Sequence, residues 1–169
     1  MQEYSSADTS INQVSRAYTV YQSKVGFKDR SYILDYGGGR FDTAKDFMKQ
    51  YGCTVKIFDP FNRNKAHNDS VLAYTRKHTP DYIINANVLN VIKEKDIVDD
   101  VILRISRLAG KHTLCIFCMY EGNGTGYGTK TTKGWQRNQK TDSYIPLIRE
   151  HFWDIQKRYN LILAWNPKH

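Results

Sequence analysis

The run Tyr32-Ile33-Leu34-Asp35-Tyr36 is apolar but for one acid, and Gly37, Gly38 and Gly39 follow it directly, ahead of Arg40-Phe41-Asp42. That order predicts a strand, a glycine turn and the start of a helix, the arrangement by which an α/β protein brings its backbone close to a nucleotide-like ligand. Glycine leaves room where a Cβ would not fit, and the N–H groups that open the next helix favour a negative group. A second apolar run, Val55-Lys56-Ile57-Phe58, ends at Asp59, about twenty residues after the glycines, where an acid that accepts two ribose hydroxyls is expected. Pro60 and Phe61 then offer a flat apolar surface for an adenine ring, and Asp35 is placed to accept from a ligand ammonium or to orient the loop amides.

The rest of the chain alternates in the same way. Asp8-Thr9-Ser10 reads as the cap of a first helix over 11–21, with Ile11, Val14, Tyr18 and Tyr21 on one face. Helices are expected over 43–51, 71–77, 97–108 and 144–152, the one over 97–108 with Ile97, Val101, Ile102, Ile105 and Leu108 turned inward. Strands are expected over 32–35, 54–58, 82–84 and 113–119. Two more runs, 154–159 and 161–165, are separated by Asn160. Alternating strands and helices predict a mostly parallel sheet covered on both faces, with the terminal pair as an antiparallel edge. We expect a single domain over 1–169: a tail and helix to residue 30, a cofactor-binding core over 31–120, a variable surface loop over 121–143, and a terminal helix and strands over 144–169.

Composition narrows the classes. The chain has 169 residues, 40% hydrophobic and 13% aromatic, which suits one folded domain and argues against disorder. No apolar run of about 18 residues predicts a membrane span, and Met1-Gln2-Glu3-Tyr4-Ser5-Ser6 lacks the features of a secretory signal. The three cysteines, Cys53, Cys115 and Cys118, suggest a reducing cytoplasm without a disulfide framework. Cys115 and Cys118 have the spacing of a metal or redox motif, but on a strand they point to opposite faces, so no metal is expected. The net charge of +8 favours anionic partners, nucleic acid first.

The glycine pattern also discriminates between adenosine ligands. A dinucleotide fingerprint needs a third spaced glycine, and Asp42 at the helix start would repel a pyrophosphate; a ligand with a positive sulfonium and an amino-acid tail suits this loop better. The segment Ile33-Leu34-Asp35-Tyr36-Gly37-Gly38-Gly39 resembles the first motif of class I S-adenosylmethionine-dependent methyltransferases. Asp59 resembles their second-strand acid, and residues 81–92 resemble their fourth-strand motif. Leu108-Ala109-Gly110 resembles their approach to the fifth strand. The resemblance covers about residues 30–120 and is closest to small bacterial and phage methyltransferases and to methyltransferase-like proteins linked with DNA phosphorothioation. It implies a Rossmann-like α/β fold with a seven-stranded sheet and S-adenosylmethionine contacts from Asp35, Gly37, Gly39, Asp59 and the region of Asn85, Ala86 and Asn87, to which the residues' own chemistry adds Gly38, Pro60 and Phe61.

The acceptor side is less defined. Where amino-group DNA methyltransferases carry Asp/Asn-Pro-Pro-Tyr/Phe, this chain reads Asn85-Ala86-Asn87-Val88, and the Pro-Cys nucleophile of cytosine C5 enzymes is absent. Asn85, Asn87, Glu121 and Tyr127 are the catalytic candidates, with His67 and His78 as possible bases. Lys130, Lys133, Trp135 and Arg137, with Lys140, combine cations and an aromatic ring as a nucleic-acid surface requires. Three rivals to a nucleic-acid methyltransferase stand: transfer to a small molecule or protein, a non-catalytic cofactor-binding module, and an enzyme that cleaves the cofactor.

Overall fold

The computed structural model describes residues 1–169. Its main sheet has six strands: β1 (Tyr32–Tyr36), β2 (Thr54–Phe58), β3 (Tyr82–Ala86) and β4 (Leu114–Cys118), then β7 (Phe152–Arg158) and β8 (Leu161–Pro167). Their order across the sheet is β2-β1-β3-β4-β8-β7. The first four are mutually parallel, with Asp35 level with Ile57 on one side and Ile84 on the other. β8 runs antiparallel to β4 and to β7. The antiparallel strand is therefore one place inside the edge, and β7 forms the edge itself. The main sheet has six strands instead of seven because the chain passes from α3 (Lys65–Lys77) to β3 without making another, which leaves β2 as the other edge.

Every interior strand alternates its side chains between two core layers, as the pleat requires. Leu34, Ile83, Phe117 and Ile162 belong to the layer covered by α3, α4 (Lys95–Leu108) and α5 (Ile145–His151). Ile33, Ile84, Ile116 and Leu163 belong to the layer covered by α1 (Arg16–Lys24) and α2 (Thr43–Lys49). Cys115 and Cys118 fall in opposite layers, both buried and unpaired. No helix is long and apolar enough to cross a membrane.

Three boundaries differ from expectation. The first helix begins at Arg16. Ala7–Thr9 makes only a single 3₁₀ turn, and the Ser10 hydroxyl accepts the Arg40 N–H at 2.9 Å instead of capping a helix. The polar loop after Asp59 is short, because Asn64 accepts the His67 N–H and starts α3 there. The segment over 121–143 holds a two-stranded ribbon, β5 (Thr129–Thr131) and β6 (Gly134–Gln136). The last two strands turn through Tyr159 and Asn160, both left-handed, as a tight hairpin needs.

Candidate functional site

The carboxyl ends of β1, β2 and β3 meet a cavity of about 460 Å³. Gly37, Gly38 and Gly39 form its inner wall, and Asp35, Asp59, Pro60, Phe61, Ala86 and Asn87 also line it. Gly37 and Gly39 adopt φ of +89° and +77°, and a Cβ at either would collide, with Val88 at one and Ser10 at the other. The protein's own packing thus demands glycine at both positions.

Asp59 and Arg63 brace this loop from two sides. Asp59 Oδ2 accepts the Gly39 N–H, while Oδ1 accepts the N–H groups of Phe61 and Asn62 and the Asn62 side-chain amide. Arg63 donates to the carbonyls of Gly39 and Phe41 and pairs with Asp42 at 2.8 Å. The expected grip of Asp59 on two hydroxyls is therefore not open to it. Three donors fill Oδ1, and Oδ2 has room for one more.

Asp35 is buried and accepts the Tyr18 hydroxyl at 2.9 Å, which ties the strand end to α1. Burial pushes its carboxyl up to about 7, with Asp59 adding to the rise and the Tyr18 hydrogen bond opposing it. Asn85 lies behind the cavity wall. It is 1% exposed and donates to the Tyr36 carbonyl, so it fixes the β1 end from beneath rather than facing the cavity.

The roof is made by residues that the sequence reading assigned to a loose tail and a helix: Gln2, Ser6, Thr9, Ser10, Ile11 and Gln13. Arg40 anchors one side through the Ala7 carbonyl at 2.6 Å and Asp8 at 3.7 Å. Lys93 and Glu94 anchor the other through the Glu3 carboxylate and the Glu3 N–H, both at 2.6 Å. Tyr4 stacks on Trp135 of the ribbon, ring centroids 5.5 Å apart. The floor includes Ile97, Val101 and Arg104 of α4; Val98 takes the deeper core position expected for Ile97.

A second cavity of about 270 Å³ adjoins the first at Asn87, which lines both. Asn87 is left-handed, with φ of +58°, a conformation uncommon outside glycine. Arg16, Tyr120, Glu121 and Asn160 are among the other residues around this second space.

No family model matches the sequence, nor does any curated protein. The fold, in contrast, has many counterparts among solved structures. A Burkholderia thailandensis 1,6-didemethyltoxoflavin-N1-methyltransferase with bound 1,6-didemethyltoxoflavin and S-adenosylhomocysteine is similar over 88% of this chain and 74% of its own, at TM-score 0.61 and 16% identity. A Clostridium acetobutylicum S-adenosylmethionine-dependent methyltransferase matches over 92% and 93%, at TM-score 0.57 and 8% identity. Human N-acetylserotonin methyltransferase with S-adenosylmethionine matches over 82% of this chain but 48% of its own length, at TM-score 0.52 and 19% identity. This is the S-adenosylmethionine-dependent methyltransferase fold.

Within that methyltransferase fold, several sequence candidates lie elsewhere or are already engaged. His67 is on α3 with its ring bonded to the Ile57 carbonyl, and His78 stacks on Tyr74; neither lines either of these two cavities. Tyr127 is 79% exposed on the outer loop. Glu121 lines the second cavity, but hydrogen bonds from Thr141 and Asn160, with Lys140 nearby, pull its carboxyl down to about 2, too weakly basic to take a proton at neutral pH. Arg137 donates to the carbonyls of Ile92 and Lys93, and Trp135 carries Tyr4, so both serve the roof and its support. Lys130 and Lys133 remain exposed on the ribbon. Arg16 was missed by sequence reasoning, because no motif marks it; only the fold brings the start of α1 beside Asn87.

Proposed function

We propose that this chain is an S-adenosylmethionine-dependent methyltransferase whose larger cavity holds the cofactor. The observation that carries this reading is the Gly37–Gly39 turn opening into a cavity of about 460 Å³ at the ends of β1, β2 and β3. That size lies in the usual range for a cofactor site, and it sits at the crevice where parallel α/β sheets bind ligands. The residues fit the group in three respects. The glycine wall admits the methionine portion without a Cβ in the way. Asp35, Asp59 and Asp100 line the cavity beside Arg104 as its one cationic side chain, which suits a cationic ligand. Phe61, 44% exposed, offers a ring face to adenine.

In this reading Asp59 shapes the loop and spares one lone pair of Oδ2 for a single ribose hydroxyl. S-adenosylmethionine held by the glycine turn and the Asp59 loop would supply an activated methyl group to the lone pair of a nucleophilic acceptor. Position does most of the work of such a transfer. The left-handed Asn87 lines both cavities, and in this reading acceptor and methyl would meet beside it.

The acceptor we favour is a small molecule. The net charge of +8 with exposed Lys130 and Lys133 supports nucleic acid instead, but Arg137 and Trp135 are spent on internal bonds, and the roof narrows the approach. Calorimetry with S-adenosylmethionine and S-adenosylhomocysteine tests the cofactor, and a labelled-methyl assay over small-molecule, protein and nucleic-acid fractions tests the acceptor. Absence of binding by both cofactor forms would overturn the reading.

A further inference from the structure

Charged side chains line both cavities, and all but one have partners within the protein. Asp35 accepts from Tyr18, and Asp59 from four donors. Asp100 pairs with Arg104 at 2.8 Å, and Glu121 is bonded by Thr141 and Asn160. Arg16 alone forms neither an ion pair nor a side-chain hydrogen bond, although it lines the second cavity. Arg16 is exposed to solvent, and Glu121 in the same space is directed to Thr141, Asn160 and Lys140 instead. Asn87 and Asn160 add amide groups to the same space, and Tyr120, 63% exposed, adds an aromatic face.

We infer that the second cavity is the acceptor subsite, and that Arg16 selects a small acceptor bearing a carboxylate or phosphate. This rests on the methyltransferase reading and adds the acceptor's chemistry to it. A guanidinium matches either oxyanion with two parallel N–H donors, and such charge-assisted bonds are the strong ones. With its anionic group on Arg16 and its ring against Tyr120, an acceptor of this size directs its nucleophile across Asn87 toward the larger cavity. The space of about 270 Å³ sets the scale of the group held there, about a single substituted ring.

The test uses benzoate, phenyl phosphate and neutral benzamide as probes on the full chain, with and without S-adenosylhomocysteine. Binding is followed by calorimetry and by the side-chain amide NMR signals of Asn87 and Asn160. One of the two anions is expected to bind at least about tenfold more tightly than benzamide, as one charge-assisted pair provides, and to shift both amide signals. Which anion prevails separates carboxylate from phosphate recognition. Arg16→Gln is expected to abolish the preference while S-adenosylhomocysteine affinity stays unchanged, and Arg16→Lys to restore part of it. Equal binding of all three probes, or a preference that survives Arg16→Gln, would overturn the inference. Failure of S-adenosylhomocysteine to bind would instead defeat the cofactor reading, and the probe measurement on the cofactor-free protein would still decide the role of Arg16.

Discussion

Asp59 Oδ2 accepts the Gly39 N–H at 2.8 Å, so the acid at the end of β2 holds the glycine turn that follows β1. Removing this carboxylate leaves the N–H groups of Gly39, Phe61 and Asn62 without their acceptor. Asp59→Ala is therefore expected to lower stability by about 2–4 kcal/mol, since each buried unsatisfied donor costs about 1–3 and water recovers part of that. It should also weaken S-adenosylmethionine binding by at least about tenfold. Denaturant unfolding and calorimetry on the same preparation check both. An affinity loss with unchanged stability would mean that the carboxylate serves the ligand and not the loop.

Asp35 gives a pH signature. Its carboxyl rises from an ordinary 3.8 to about 7 in the folded chain, so the folded state binds more protons between those values. Its contribution to stability falls as pH rises through that window and levels off above it. Relative to Asp35→Asn, the wild type should lose stability between about pH 4 and pH 7 and then stay parallel; pH-dependent thermal unfolding of the pair reads this directly. A cationic ligand beside Asp35 lowers its pKa again. Binding of S-adenosylmethionine near pH 6 should then release protons, seen as a dependence of calorimetric heat on buffer ionisation enthalpy.

The roof over the larger cavity should open faster when its anchor is cut. Arg40→Ala removes the bond to the Ala7 carbonyl and the pairing with Asp8 on an exposed side chain. Global stability should change by less than about 1 kcal/mol, as for other exposed pairs, while dissociation of S-adenosylhomocysteine accelerates several-fold. Stopped-flow displacement measures the rate, and unfolding measures the stability. Equal off-rates would mean that the segment does not move during release.

Arg137 and Lys133 should part company. Arg137→Ala takes donors from the Ile92 and Lys93 carbonyls beside the larger cavity, with an expected cost of about 1–3 kcal/mol. Lys133→Ala, on the exposed ribbon, should leave stability unchanged. Unfolding midpoints distinguish the two. A neutral Arg137→Ala would return that side chain to the pool available for a substrate.

Sequence reading caught what local physics dictates. Gly37 and Gly39 are legible because few residues other than glycine tolerate such φ, and the strands are legible because buried parallel strands are continuously apolar. The cavity's inner wall followed from those two signals. The roof did not, since Ser10 and Ile11 look like the opening of a helix until Arg40 is known to face them. Nor could a motif reveal that Asp59 accepts the Gly39 N–H, or that Trp135 is covered by Tyr4, because both depend on where the chain returns after long separations.

The main sheet stops at β2, and this changes what the adjoining turn must do. With no further strand to lean on, the segment after β2 leans on Asn68 of α3, which bonds the Asp59 N–H and carbonyl, and on the links that Asp59 and Arg63 make to the turn opposite. A border held by side chains in place of a strand depends on Asp59, Arg63 and Asn68 together, so replacing any one of them loosens a turn that a neighbouring strand would otherwise have kept in place.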